Sequence, residues 1–355
     1  MGEGNKPWEG KVGNAQQIGG IETAVLDNGS GKGVRIAWID TGAGLRYKLV
    51  LDRAMDIASA SFGAHALSWI SQVGITPPSP FTSEGLDWLR TFGGGLVTTC
   101  GLSHVGGPEE DEQGKRGLHG SISNLPAEIC SVKQPDLGNG DLDMHISGII
   151  RESSVFGPHL VLRRTISGTL GRPYLKITDE VTNDSNLPAP HMLLYHVNFG
   201  WPLIDEGSQI IWRGKWESRD GDTKNLIFNE KNDFKSCPPP LKAHAGFGED
   251  VAFIQPEPES EGLCRAGIYN PDLGFALRMS FSKKQLPWLI NWQHWGENEY
   301  VTALEPGTHP PIGQQQARKD GSLIMLKPGE KRQYELQFDI IMGQKDIASF
   351  VNHNQ

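Results

Sequence analysis

A chain of 355 residues with 42 acidic and 33 basic side chains has a formal net charge of -9 at pH 7, which excludes a broad basic face and with it nucleic acid as a main partner. Its 44 glycines and 23 prolines exclude an architecture of long helices and demand many turns. No apolar run reaches the ~20 residues that span a bilayer, so no membrane partner is expected.

The polar start Met1-Gly2-Glu3-Gly4-Asn5-Lys6 has no signal-peptide core. Cys100, Cys130, Cys237 and Cys264 show neither CxxC nor metal-knuckle spacing. These features predict a soluble, cytoplasmic protein with free thiols. In chain order, residues 1–18 read as a polar, Gly-rich arm. Apolar and polar positions alternate over 33–39 and 47–51, as in half-buried strands. Residues 83–92 fit a short helix with Ser83 as N-cap. Gly93-Gly94-Gly95 lacks the Lys-Ser/Thr of a phosphate loop and fits a close backbone approach instead. Residues 106–117 are charged and read as a mobile loop running into His119. Strands follow at 159–166 and 174–181, joined by a turn over 168–172, and then at 208–216, 263–269, 274–281 and 333–341. The pairs Arg163-Arg164 and Lys283-Lys284 read as solvated strand residues. Residues 346–352 fit a second short helix.

With no internal repeat and no long linker, the expected organisation is an arm over 1–18, a single domain over 19–345 and a tail over 346–355. The expected fold class is all-β, a sandwich or barrel with few short helices. The area exposed at sheet edges leaves monomer and homodimer both open.

Three ionisable residues stand where apolar strand-like runs end. Glu305 follows Tyr300-Val301-Thr302-Ala303-Leu304 and precedes Pro306-Gly307, a rigid turn that can present a general base. His119 sits in Leu118-His119-Gly120, and His196 closes Leu193-Leu194-Tyr195-His196. Two histidines and a late glutamate make an acid/base set suited to a sugar. The plain alternative for each is a structural histidine or an ordinary strand-end carboxylate. His191 lies five residues before His196, on the opposite face of a regular strand, and becomes the functional one if a bulge intervenes.

Arg53 is a candidate for gripping sugar hydroxyls or an acidic group, with Asp56 as its neighbour; the alternative is a buried Arg53–Asp56 ion pair. Trp69, Trp88, Trp201, Trp288, Trp292 and Trp295 include candidates for a stacking platform, and Trp292 and Trp295 are favoured because they precede the Glu305 strand. Most of the ten tryptophans are expected in the core.

The segments Val12-Gly13-Asn14, Leu51-Asp52-Arg53-Ala54-Met55-Asp56-Ile57, Gly93 to Leu102, Leu118 to Ala127 and Leu304-Glu305-Pro306 together resemble the aldose 1-epimerase (galactose mutarotase)-like superfamily, and within it the DUF4432 branch. The resemblance implies a galactose mutarotase-like β-supersandwich of antiparallel sheets with a sugar cleft. It implies a mutarotase-type enzyme, an isomerase that interconverts anomers of a monosaccharide or sugar derivative by acid/base ring opening, with no cofactor. It carries the catalytic roles onto Glu305, His196 and His119, with Arg53, Asp56, Trp292, Trp295, His191 and His309 as substrate-binding candidates. The run Tyr195-His196-Val197-Asn198-Phe199 departs from the usual Asn-His-Ser-Tyr pattern, and Ala54 stands where the branch carries Gly.

Two other readings stay open. His119, His191, His196, His294 and His309 with Glu305 could hold Mn, Zn or Fe in a metal-dependent sugar lyase or isomerase on the same scaffold. The aromatics with Arg53 could serve a carbohydrate-binding protein that catalyses nothing.

Overall fold

The structure is a computed structural model that describes residues 7–79, 84–221, 226–229 and 231–354. An eight-stranded sheet runs in the order Gln209–Ile211, Leu263–Asn270, Phe275–Ser282, Lys331–Met342, Tyr174–Asn183, His159–Thr169, Asp143–Ser153 and Glu128–Lys133. A seven-stranded sheet runs Gly214–Ser218, Asp250–Pro256, Trp288–Gly296, Glu299–Gly307, Ala189–Phe199 and Ile324–Leu326, and Thr98–Leu102 pairs with its Ala189–Phe199 strand. A five-stranded meander, from Gly20–Val25 to His65–Ala66, precedes both. The pairings that build these sheets are antiparallel, as the family resemblance implied.

The main core lies between the two large sheets. Leu162, Ile177, Leu336 and Phe338 from the eight-stranded sheet meet Leu193, Tyr195, Leu289 and Leu304 from the seven-stranded one. Burial of each such side chain contributes about 1.5–3 kcal/mol. The strand predicted over 208–216 is two strands. The chain leaves one sheet after Ile211 and joins the other at Gly214, with the Trp212 indole buried at the crossing.

Several expectations change. The helix over 83–92 is a single 3-10 turn, Asp87–Arg90, and Ser83 lies outside the described residues. The segment 106–117 is not an irregular loop. It forms a hairpin, Glu109–Asp111 with Gly114–Arg116, closed by an Arg116 Nε to Glu109 bond of 2.7 Å. Glu109 also accepts the backbone N–H groups of Gln314 (3.1 Å) and Gln315 (3.2 Å), at the start of a helix Gly313–Lys319 that the sequence pattern did not reveal. A carboxylate there satisfies donors that no helical carbonyl reaches. The helix expected over 346–352 runs two residues further at each end, as Gln344–Asn354, and seats Phe350 against Ile211 and Ala276. In the N-terminal segment, Trp8 covers Gly171, where an added Cβ would lie 2.8 Å from the indole.

Arg164 is the largest departure. Unlike Arg163, it is fully buried, and its guanidinium donates to Asp179 through Nε (2.9 Å) and Nη2 (2.7 Å). Its Nη1 donates to Asp56 (3.1 Å), Thr99 Oγ1 (2.9 Å) and the Ala54 carbonyl (3.0 Å). The Tyr195 hydroxyl donates to Asp179 at 2.7 Å. Burial alone would lower the pKa of Arg164, but the carboxylates of Asp179 and Asp56 outweigh it and raise the pKa. Every member of this interior cluster has a partner, the condition under which buried charge is tolerated.

Candidate active site

The strand Ala189–Phe199 is buried along nearly its whole length because both its faces are covered. Leu193, Tyr195 and Val197 point into the main core. Met192 and Leu194 belong to a second apolar cluster on the other face, with Trp88, Phe92, Cys100 and Ile290. His196 has the parity of this second face. The register pairs Leu194–Gly307 and Val197–Leu304 set it opposite Glu305, which on its other side pairs with Ile290. His196 Nε2 lies 3.3 Å from Glu305 Oε1, and the two residues are 6% and 3% exposed.

His119 reaches the same place from a tight turn. Its φ is +57°, an unusual value for a non-glycine residue. The turn is fixed by Gly101 N–H donating to the His119 carbonyl (3.0 Å) and His119 N–H donating to the Gly106 carbonyl (2.9 Å). Gly120 must be glycine. Its φ is +72°, and a Cβ there would lie 2.7 Å from the Gly101 carbonyl oxygen.

The His119 and His196 rings meet edge-on with centroids 6.3 Å apart. Aromatic side chains wall them in. Trp88 packs on His119 at 4.9 Å, while Phe92 and Trp292 pack on His196 at 5.1 and 5.5 Å. Trp69 closes the wall, edge-on to Trp292 at 6.4 Å. Within it, Nδ1 of His119 and Nδ1 of His196 are both buried without a hydrogen-bond partner. Buried donors and acceptors are rarely left unmade, and unmade ones concentrate where a ligand supplies the partner.

Desolvation in this wall lowers His119 to about 3, helped by His196, and lowers His196 to about 3. Desolvation and then the nearby charge of Glu249 raise Glu305 well above the usual carboxylate range. Burial thus opposes charge on both members of the His196–Glu305 pair. The favoured state carries one proton between them and no net charge.

The sign for stability follows. A histidine depressed to about 3 contributes stability that is complete above its unfolded value near 6.5 and is lost as pH falls toward 3. His119, His191 and His196 all act in this direction. Glu305, raised, acts in the opposite direction, with a contribution lost as pH rises above about 4.5. His104 and His309, also lowered by burial, act with these three, and Asp56 and Glu152, raised by burial, act with Glu305, so five groups outweigh three. Urea unfolding is expected to show stability falling between pH 6.5 and 4.5, each histidine adding up to about 1.4 kcal/mol per pH unit. A urea midpoint that stayed level across that window would contradict the buried, neutral histidines.

The other sequence candidates divide. Trp292 lies in the wall. Trp295 does not, because residues three apart on a strand face opposite sides. It is fully buried in the main core, where its indole N–H donates to Gln293 Oε1 at 2.9 Å. His191 is also on the core face. Its Nδ1 lies 2.9 Å from the Leu102 carbonyl and its Nε2 2.7 Å from the Tyr334 hydroxyl, an arrangement that one neutral tautomer satisfies by donating and accepting once each. His309 is used up by the Ser322 carbonyl (2.8 Å) and Thr308 Oγ1 (2.9 Å). Asp56 belongs to the Arg164 cluster, where Thr99 N–H (3.0 Å) and Thr99 Oγ1 (2.6 Å) both donate to it. Residues 52–55 form a turn rather than a strand, with Ala54 and Met55 at φ +52° and +59°. Arg53 forms no ion pair with Asp56 and lies behind the aromatic wall.

The ligand set weighed for a metal is thereby split. His191 and His309 are committed elsewhere, and His294 Nδ1 lies 2.6 Å from the Gly248 carbonyl. Among the described residues, no group of three or more His, Cys, Asp and Glu side chains converges to hold a metal ion.

Phe92 and the pair Arg219–Glu249 were not foreseen. Glu249 accepts the Trp292 indole N–H (2.7 Å) and Arg219 Nη1 (2.7 Å), fixing the wall and adding charge near Glu305. These residues come from turns whose sequences carry no periodic signal.

Comparison with known proteins supports the architecture. A candidate aldose 1-epimerase from Klebsiella pneumoniae superposes with a TM-score of 0.82 at 23% identity, over 96% of this chain and 89% of that one. A galactose mutarotase-like protein from Clostridium acetobutylicum gives 0.62 at 14% identity, over 91% and 98% of the two chains. A galactose 1-epimerase from Lactobacillus acidophilus gives 0.59 at 12% identity, over 91% and 99%. These likenesses establish the galactose mutarotase-like fold. No curated protein is similar to the chain by sequence. The family model described as a domain of unknown function, DUF4432, matches residues 31–340, and the chain belongs to that family.

Proposed function

We propose that the protein is a mutarotase-type isomerase acting on a monosaccharide or sugar derivative, with Glu305, His196 and His119 as its catalytic residues. The observation that carries this reading is the His196–Glu305 contact of 3.3 Å, beside a second histidine with a free ring nitrogen, inside an aromatic wall. Mutarotation requires one proton to leave the anomeric hydroxyl and one to arrive at the ring oxygen, with both transfers reversed on re-closure. The one-proton pair reacts through its carboxylate–imidazolium tautomer, in which Glu305 takes the hydroxyl proton and His196 gives its proton to the ring oxygen. The pair is net neutral before and after, passing from carboxylate and imidazolium to carboxylic acid and imidazole. A dry site therefore never has to hold an unpaired charge on it. His119, held neutral by burial, offers Nδ1 as a hydrogen-bond partner for the ring or anomeric oxygen as charge develops. Trp292, half-buried beside His196, offers a face to the apolar side of a pyranose.

The test is anomer-exchange NMR on a panel of aldoses and sugar acids. Accelerated exchange of one sugar, unaffected by chelator, supports the reading. Binding with no acceleration of exchange would replace it with a carbohydrate-binding role, and chelator-sensitive conversion to a different product would replace it with the metal-dependent lyase or isomerase.

A further inference from the structure

Behind the aromatic wall lies a cavity of about 360 Å³ that the proposed reaction does not use. That volume is at the small end of ligand cavities, which span roughly 300–1,000 Å³. Its lining includes Arg53, Lys48, Ser30, Ser59, Thr76 and Thr98, two cations and four hydroxyls.

Arg53 is only 8% exposed and forms no ion pair. Its guanidinium donates to three neutral oxygens, the Ser123 carbonyl, Thr76 Oγ1 (2.9 Å) and the Thr91 carbonyl (3.0 Å). Five N–H groups are available on a guanidinium, so donors remain on both terminal nitrogens. Asp56 also borders the cavity, but its oxygens are held by Thr99 and Arg164. Burial lowers Arg53 to about 10, which leaves it charged at neutral pH. Asp56 is a nearby counter-charge that acts on Arg53 without bonding it, because its oxygens are turned to Thr99 and Arg164, so an anion in the cavity would supply the direct partner Arg53 lacks.

The cavity and the histidine–glutamate set share a partition. Thr91, whose carbonyl holds Arg53, precedes Phe92, which packs on His196. Ser123, whose carbonyl also holds Arg53, accepts the Trp88 indole N–H at 3.1 Å, and Trp88 packs on His119. Gly93 and Gly94 continue the partition. A Cβ on Gly93 would fall 2.4 Å from the Gly74 carbonyl oxygen, and one on Gly94 2.8 Å from Trp69, so only glycines allow the wall to be this thin.

We propose that the Arg53 cavity is a binding site for a small sugar acid, with its carboxylate on the Arg53 guanidinium and its hydroxyls among the serine and threonine side chains. A planar carboxylate suits the arginine fork, and the hydroxyl lining suits a polyol better than a bare ion. The proposal concerns binding and does not depend on the mutarotase reading.

Isothermal calorimetry of the full chain tests it, with glucuronate, galacturonate and gluconate set against glucose, galactose and inorganic phosphate. At least one of the acids is expected to bind, more tightly than its neutral counterpart and more tightly than phosphate. Arg53→Lys keeps the charge but loses the fork, and is expected to weaken that acid about 10-fold or more. Because Arg53 also ties three chain segments, Ser59→Leu serves as a second variant. It fills the cavity from a half-buried strand position and is expected to abolish binding in a folded protein. Equal binding of the neutral sugar, equal binding of phosphate, no binding of any acid, or unaltered binding in Ser59→Leu would each overturn the proposal. Anomer exchange that persists while acid binding fails would sink this inference alone.

Discussion

Glu305→Gln is expected to lower the rate of anomer exchange by about 10²–10⁴-fold while leaving the fold intact, the range found when a positioned general base is lost. The amide fills the same volume and can still meet His196 Nε2, so what it removes is the capacity to hold a proton. Burial and the charge of Glu249 raise Glu305, so the one-proton pair that the reaction uses persists until pH passes that raised value. The wild-type rate should therefore fall with rising pH, on a limb displaced upward from the ordinary carboxylate range. Glu249→Gln, which keeps an acceptor for the Trp292 indole, should move the limb to lower pH. Exchange measured by NMR across pH reads both effects. Wild-type turnover in Glu305→Gln would remove the base assignment, whatever its cause.

Asp179→Ala is expected to cost about 3–5 kcal/mol, the cost of leaving a buried charge without its partner. Asp179 is fully buried and accepts two hydrogen bonds from Arg164 and one from Tyr195. Without it, Arg164 keeps only Asp56 as a counter-charge, and the Tyr195 hydroxyl loses its partner. Chemical denaturation should show the loss as a lower midpoint with an unchanged slope. Replacing both partners, Arg164→Met with Asp179→Leu, should recover only part of it, because Asp56 then loses its bonded counter-charge and the Tyr195 hydroxyl still lacks an acceptor. A loss below about 1 kcal/mol in the single variant would mean that water or chain relaxation already compensates the cluster.

The sheets were legible wherever one face of a strand is solvated. The alternation over 174–181 and 333–341 survives as Tyr174–Asn183 and Lys331–Met342, each with inward residues at every second position. It went unread for Asp143–Ser153, where His145 and Ser147 keep the alternation but Gly148 at an inward position and Ile149 at an outward one break it. In the candidate site, His119, His196 and Glu305 could be picked out because apolar runs end on them and a family resemblance spans them. His309 was raised by its place just beyond Glu305 across the Pro-Gly turn, and the structure commits it to Ser322. Nothing local distinguishes the two cases, because the difference lies in a partner 13 residues on. Trp295 could have been set aside from parity alone once Trp292 was chosen. Arg164 could not have been placed, because its register partner Asp179 is fixed only when the His159–Thr169 and Tyr174–Asn183 strands pair. Phe92 and Trp88 enter through turns that periodicity does not describe.

The strand Ala189–Phe199 carries Tyr195 on one face, bonded to the interior charge cluster, and His196 on the other, in contact with Glu305. Neighbouring residues thus serve two unrelated purposes, and the two-residue repeat of a strand ties them together. Inserting or deleting one residue upstream in this strand would exchange the faces, sending an imidazole toward Asp179 and a phenol toward Glu305. Length changes are therefore far less tolerable here than substitutions, and lineages descended from this chain are free to vary in length at the exposed Val155-Phe156 hairpin tip but not between residues 189 and 199.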